Sequence, residues 1–173
     1  MPSPFGHSLA GIAVHALSAR DASELRSGRR LALVVGAALA PDVDLMFRFV
    51  DGRNHHNNET HSIGAALAAG LAAALLARFL GWTQAALLGL AVGAGWASHV
   101  LLDYLNLDTN PPIGIQALWP LSDRHYKIPW PIFLDISRTF EWEAVRRNAL
   151  AAAWETAVLA PIAWACWRAR ARS

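Results

Sequence analysis

A single cysteine, Cys166, excludes an internal disulfide and a cysteine-rich metal knot in this 173-residue chain. It stands in an apolar run and reads as a small packing residue, so the redox compartment is not legible. Charge is scarce too, at 16% of residues against roughly 25% in ordinary soluble domains. The formal net charge is only +2. The basic residues form neither a stripe nor an aromatic-interleaved patch, which argues against a nucleic-acid partner. No His-Glu-x-x-His occurs, which argues against a zincin-type protease. There is no internal repeat, no low-complexity tail and no composition break, so residues 1–173 read as one domain.

Apolar residues make up 54% of the chain, and alanine, leucine and glycine supply most of them. These small and flexible residues suit close-packed helices in lipid. Of the eight tryptophans, Trp82, Trp119, Trp130, Trp142 and Trp167 stand where apolar runs meet polar ones, as at a membrane–water boundary. Four runs are long enough, or nearly so, to be buried in a bilayer, which takes ~20 apolar residues: 31–50, 62–77, 79–102 and 149–167. The first is broken by Pro41-Asp42-Val43-Asp44. Gly81 and Trp82 mark a tight turn before a helix from about Gln84. Residues 8–19 form a shorter first helix that need only dip into the membrane. Residues 9–17 have the apolar core of a signal peptide, but no Lys or Arg precedes it and histidines interrupt it, so the N-terminus is expected to stay. The stretch 106–148 is rich in proline and aromatics and reads as an ordered loop. The expected fold is all-α, an integral membrane bundle of four to five helices with a long ordered loop before the last.

Polar side chains at the borders of membrane segments are costly and tend to be functional. His7 precedes the first helix. Asp42 and Asp44 interrupt the second segment, where Pro41 lets both carboxylates leave the helix. His55, His56 and His61 cluster before the third segment, with Glu59 and Thr60 between them. His99 and Asp103 close the fourth, and i,i+4 spacing sets both on one helix face. If successive segments alternate in direction, His7, Asp42, Asp44, His56, His61, His99 and Asp103 all share one membrane face. Imidazole plus carboxylate is a donor set for zinc, manganese or iron. Taken alone, each motif has a plainer reading, such as a helix break with a capping aspartate. His15 lies away from the cluster and is left out.

The motifs Ser3-Pro4-x-x-His7, Pro41-Asp42-x-Asp44, His56-x-x-x-Thr60-His61-Ser62 and His99-x-x-Leu102-Asp103 follow in order, and Leu118-Trp119-Pro120-Leu121-Ser122 comes next. The series resembles the YdjM-like family of membrane-bound proteins described as metal-dependent hydrolases. The resemblance runs from about Ser3 to Tyr126 and implies a helical inner-membrane protein with His7, Asp42, His61, His99 and Asp103 as ligands. Asp44 and His56 stand close behind. Where the family commonly carries Arg-Gly, this chain has Asn57-Asn58-Glu59. A more distant likeness to zinc-dependent phospholipase C is analogy at fold level.

These readings lead to a membrane-bound hydrolase with more than one divalent ion, zinc or manganese, acting through metal-activated water on a phosphoester or lipid-linked substrate. Asp44 or Glu59 would serve as general base. Arg124, Lys127 and Arg138 could hold a phosphate, with interfacial anchoring the competing role. Glu155, alone among acids in the last apolar run, would pair with an arginine, face the cavity or complete the metal shell. The competing classes are a metal-ion or proton transporter and a membrane adaptor with a structural metal. Short basic segments at 20–30 and 168–172 favour the cytoplasm, which would turn the metal face outward across the inner membrane.

Overall fold

The computed structural model describes residues 1–109 and 111–172. Its first helix, α1 (Pro4–Ser18), begins with two signals readable in the chain. The Ser3 side chain accepts from the Gly6 amide, and Pro4 supplies a φ already suited to the first turn. The helix therefore starts earlier than residue 8, and His7 lies inside its first turns instead of before it. Asp21 caps the short α2 (Ala22–Leu25), and Ser27 caps α3 (Gly28–Leu39). Proline cannot extend the α-helical hydrogen-bond ladder. At Pro41 the chain accordingly tightens into a 3-10 turn, Ala40–Met46, before the single-turn α4 (Arg48–Asp51). Apolar residues 31–50 thus form no single span. The regular part of α3 is 12 residues, about 18 Å long at 1.5 Å per residue, short of a ~30 Å hydrocarbon core.

After a second 3-10 turn, Glu59–His61, Ser62 caps α5 (Ile63–Phe79). Gly81 makes the following turn at φ 77°, and α6 runs from Ala85 to Tyr104 with Gln84 as its N-cap residue. The last helix, α7 (Trp142–Arg172), starts seven residues before the expected 149, so the end of the stretch 106–148 is helical. Pro161 lies within it.

The described residues contain no β-strand. Two helices, α6 and α7, are long and apolar enough to cross a membrane, and α5 is a shorter apolar helix. Only 39% and 22% of their apolar windows are buried within the chain. A soluble core helix would hide most of that surface. Instead Leu67 and Leu71 on α5, Leu90 and Leu101 on α6, and Ile162 and Trp164 on α7 face outward. So much exposed apolar surface on long apolar helices calls for a lipid environment.

Inside the bundle the helices meet through small residues. The α5–α6 pair packs backbone to backbone: a Cβ on Gly70 would stand 2.8 Å from the Gly89 carbonyl oxygen, and one on Gly89 would stand 2.6 Å from Ala74 Cβ. α1 packs on α3, α6 and α7, and α3 packs on α6. The loop between α6 and α7 closes over one end of this bundle. Ile115 and Tyr126 exchange backbone hydrogen bonds of 2.9 and 2.8 Å, Ile63 donates to the Ala117 carbonyl, and Leu107 donates to that of Phe133. This fixed loop covers the end where α1 and α5 begin and α6 finishes.

Candidate metal centre

Four structural events deliver polar side chains to that end. The start of α1 brings His7, and the 3-10 turn after α3 brings Asp42 and Asp44. The loop before α5 brings His56 and His61, and the last turns of α6 bring His99 and Asp103. His7, Asp44, His56, His61, His99 and Asp103 are buried, and Asp42 is half-buried. Two sets of ligand atoms, one from His7, His99 and Asp103 and one from Asp42, His56 and His61, each lie within 4.8 Å of one another and could hold a metal ion.

The two sets adjoin. His99 Nε2 lies 3.1 Å from His61 Nε2 and 3.0 Å from Asp103 Oδ2. Asp103 Oδ2 is 3.2 Å from His61 Nε2. Asp42 Oδ1 stands 3.6 Å from His61 Nε2 and 3.5 Å from His99 Nε2. The other Asp103 oxygen is 3.7 Å from His7 Nε2, and the His7 ring stacks on that of His99 with centroids 3.7 Å apart.

A test of fit comes from the hydrogen-bond accounting. Asp42 Oδ1, both Asp103 oxygens, both His7 nitrogens and His56 Nε2 are buried without a hydrogen-bond partner. Buried polar atoms are nearly always partnered, by an ion where not by a proton donor. Donors about 2.0–2.2 Å from a zinc ion stand roughly 3 to 3.6 Å apart. The distances of His61 Nε2 and His99 Nε2 from each other, from Asp42 Oδ1 and from Asp103 Oδ2 fall in that interval. The residues present fit a divalent metal.

A second layer holds the imidazoles. His99 Nδ1 donates to the Ala38 carbonyl at 2.8 Å, leaving Nε2 to face the cluster. Asp44 accepts from His56 Nδ1 at 2.9 Å and from Thr60 Oγ1 at 2.7 Å, and its Oδ2 lies 3.1 Å from His61 Nδ1. Carboxylates and carbonyls behind a histidine set its tautomer and orientation for metal binding. Burial pushes the Asp44 carboxyl up, but the hydrogen bonds from His56, His61 and Thr60 outweigh it and hold the group at about 2. Burial lowers His61, while Asp103, Asp42 and Asp44 together raise it well above its ordinary value. The carboxylates thus favour the protonated form of His61, which a cation would have to replace.

The remaining candidates are distributed differently. Glu59 is exposed and belongs to neither ligand set. His55 pairs with Asp51 at 2.7 Å at the surface. Arg124 and Lys127 are exposed in the loop and do not line the cleft beside the cluster. Arg138 does line that cleft, in company with Arg48 and Arg147. Glu155 pairs with no arginine and lies outside both ligand sets. It accepts from the Ser3 amide, at 2.9 and 3.0 Å to its two oxygens, and from the Ser3 hydroxyl. His15 is buried at the other end of α1, bonded to the Leu25 carbonyl at 3.0 Å and facing Arg30 at 3.0 Å. Sequence reasoning assigned no role to Thr60, although its place beside His61 in the motif was a signal. The Ala38 carbonyl could not be found from sequence, because any residue type supplies one.

Apolar helices with outward leucines, closed at one end by a buried histidine–aspartate cluster, define a class: a helical membrane protein with a candidate metal centre. A family model described as YdjM inner membrane protein matches residues 1–172, and the chain belongs to that family. Its name agrees with the membrane location read from the outward apolar faces. Comparison with curated proteins and with solved structures finds no match.

Proposed function

We propose that this protein is a membrane-bound, metal-dependent hydrolase acting on a phosphoester or lipid-linked substrate. The observation that carries the reading is the pair His61 Nε2 and His99 Nε2, 3.1 Å apart, each within 3.0–3.6 Å of Asp42 Oδ1 and of Asp103 Oδ2. These four residues would hold one zinc or manganese ion. His7, facing the second Asp103 oxygen, and His56, with its free Nε2, supply donors toward a further ion. Bound metal supplies Lewis acidity, which polarises a scissile phosphoryl or acyl group and acidifies water.

The chain's own residues then have separable tasks. Asp44 orients His56 and His61, and because both of its oxygens are already engaged its role is positioning, in preference to general base. Thr60 fixes Asp44 in turn. Glu59, at the surface, is a weaker candidate for the base than the sequence alone suggested. Burial of His7, His61, His99 and Asp103 limits water around the cluster, which strengthens each charged contact. A transporter would continue such groups along the bundle. Glu155 is instead occupied by Ser3, and His15 by Leu25 and Arg30, which favours a site confined to one end.

The test has two arms. Purified His99→Ala and Asp103→Ala should each bind metal at least about tenfold more weakly, whereas His15→Ala should not. Equal metal content in all three sinks the ligand assignment. Detergent-solubilised wild type loaded with manganese or zinc should turn over a member of a phosphoester and lipid panel, and chelator should abolish it. Metal-loaded protein inert across the panel would leave the structural-metal reading in its place.

A further inference from the structure

Beside the cluster lies a cleft of about 900 Å³ whose wall includes Asp44, Arg48, Phe49, Asp135, Arg138 and Arg147. Three guanidinium groups from separate parts of the chain meet here: Arg48 on α4, Arg138 in the loop and Arg147 on α7. Both carboxylates of the wall are already engaged. Asp44 is taken by His56, Thr60 and His61. Asp135 is taken by the N-terminal ammonium and the Thr109 hydroxyl. Three arginines outnumber these two carboxylates, one of which is offset by the ammonium, so the wall is net positive. Guanidinium groups recognise phosphate through paired, charge-assisted hydrogen bonds.

One edge is apolar. Phe49, in the wall, is 87% exposed, and Val50, next to it in the chain, is 83% exposed. Large apolar side chains left open beside cationic ones match an interface where acyl chains adjoin phosphate. A soluble phosphoester would have no use for that edge.

We infer that this cleft is the phosphate subsite for a membrane phospholipid bearing an anionic headgroup. Arg48, Arg138 and Arg147 hold the phosphate, and the Phe49–Val50 edge takes the start of the acyl chains. Asp44, common to cleft and cluster, sets the bound phosphate beside the proposed metal centre. The inference deepens the hydrolase reading and rests on it only for what happens after binding.

The probe is dihexanoyl phosphatidic acid, titrated calorimetrically into full-length protein in neutral detergent. Dihexanoylglycerol and inorganic phosphate are run in parallel. Wild type should bind phosphatidic acid at least about tenfold more tightly than either comparison ligand. Arg138→Ala and Arg147→Ala should each weaken it by about tenfold, Arg147→Lys by less, and Arg78→Ala, on the far end of α5, within about twofold. Inorganic phosphate binding as tightly as the lipid would overturn the lipid assignment. Diacylglycerol matching phosphatidic acid, or Arg124→Ala weakening binding as much as Arg147→Ala, would overturn the subsite. Turnover by metal-loaded protein, measured beside binding, separates the two readings. Arginine-dependent binding that persists without any turnover sinks hydrolysis alone, and turnover of phosphatidic acid indifferent to the arginine variants sinks the subsite alone.

Discussion

His61 faces charged partners through both of its ring nitrogens. Its Nδ1 faces Asp44, and its Nε2 faces Asp42, Asp103 and His99. The three carboxylates raise it well above 6.5 against the opposing effect of burial. In metal-free protein that raised value contributes stability which is fully present below pH 6.5 and is lost as pH rises through the folded value. Asp44 behaves in the opposite sense: its contribution is present above 3.8 and is lost as pH falls through about 2. A cation entering the cluster must displace the His61 proton. Metal affinity should therefore rise between about pH 6 and about pH 8, with proton release on binding. Zinc titrations in two buffers of different ionisation enthalpy would measure both. An affinity flat across that range would mean that His61 holds no proton in the metal-free cluster.

At the scale of elements, the clearest signals in the sequence were punctuation marks. Gly81-Trp82 marked the turn before α6, and Pro41 marked the end of regular helix in α3, because each acts through its own backbone. The i,i+4 spacing of His99 and Asp103 likewise needed only helix geometry. Misreadings arose where hydropathy alone was used. Residues 31–50 look like one span, but the 3-10 turn after Leu39 divides them. The start of α1 was legible in Ser3-Pro4 as a cap and first-turn proline, yet apolar content drew the boundary to residue 8. The cleft arginines were least legible. Arg138 was singled out with Arg124 and Lys127, but Arg48 and Arg147 join it in one wall only through tertiary packing, and nothing in their spacing announces it.

Glu155 shows how a remote element holds the site. It reaches from α7 to satisfy the Ser3 amide at the mouth of α1, where helix N–H groups lack intrahelical partners. Gly6 permits this, since a Cβ there would stand 2.6 Å from a Glu155 carboxylate oxygen. His7 lies one turn further along, so its position depends on that anchor. Glu155→Ala should cost about 1–3 kcal/mol through an unsatisfied buried amide. It should also reduce metal binding without touching a ligand. Thermal unfolding in detergent and metal content of the same preparation would check this. A variant with lowered melting temperature but full metal content would show that α1 can be loosened without moving His7.

At the scale of the whole molecule, the two long apolar helices run in opposite directions and share their site-side ends. α6 finishes at the cluster and α7 begins there, joined by the ordered loop over the centre. The far end carries short basic segments: Arg26, Arg29 and Arg30 before and within α3, Arg78 at the close of α5, and Arg168, Arg170 and Arg172 at the close of α7. The basic residues at the site end are as numerous, but most belong to the long loop and its flanks, and three of them line the cleft. Total charge at the two ends therefore does not choose an orientation. Topology follows basic residues in short segments adjacent to helix ends more strongly than those in longer ordered regions. That bias predicts a cytoplasmic far end and a cluster opening on the outer side of the inner membrane. A Cys166→Ser background with single cysteines at Leu121, 92% exposed in the loop, or at exposed Ala171 near the end of α7 gives the test. An impermeant thiol reagent applied to intact cells should label the Leu121→Cys protein and spare the Ala171→Cys protein until the membrane is opened. The reverse pattern would place the cluster, and any lipid it processes, in the cytoplasmic leaflet.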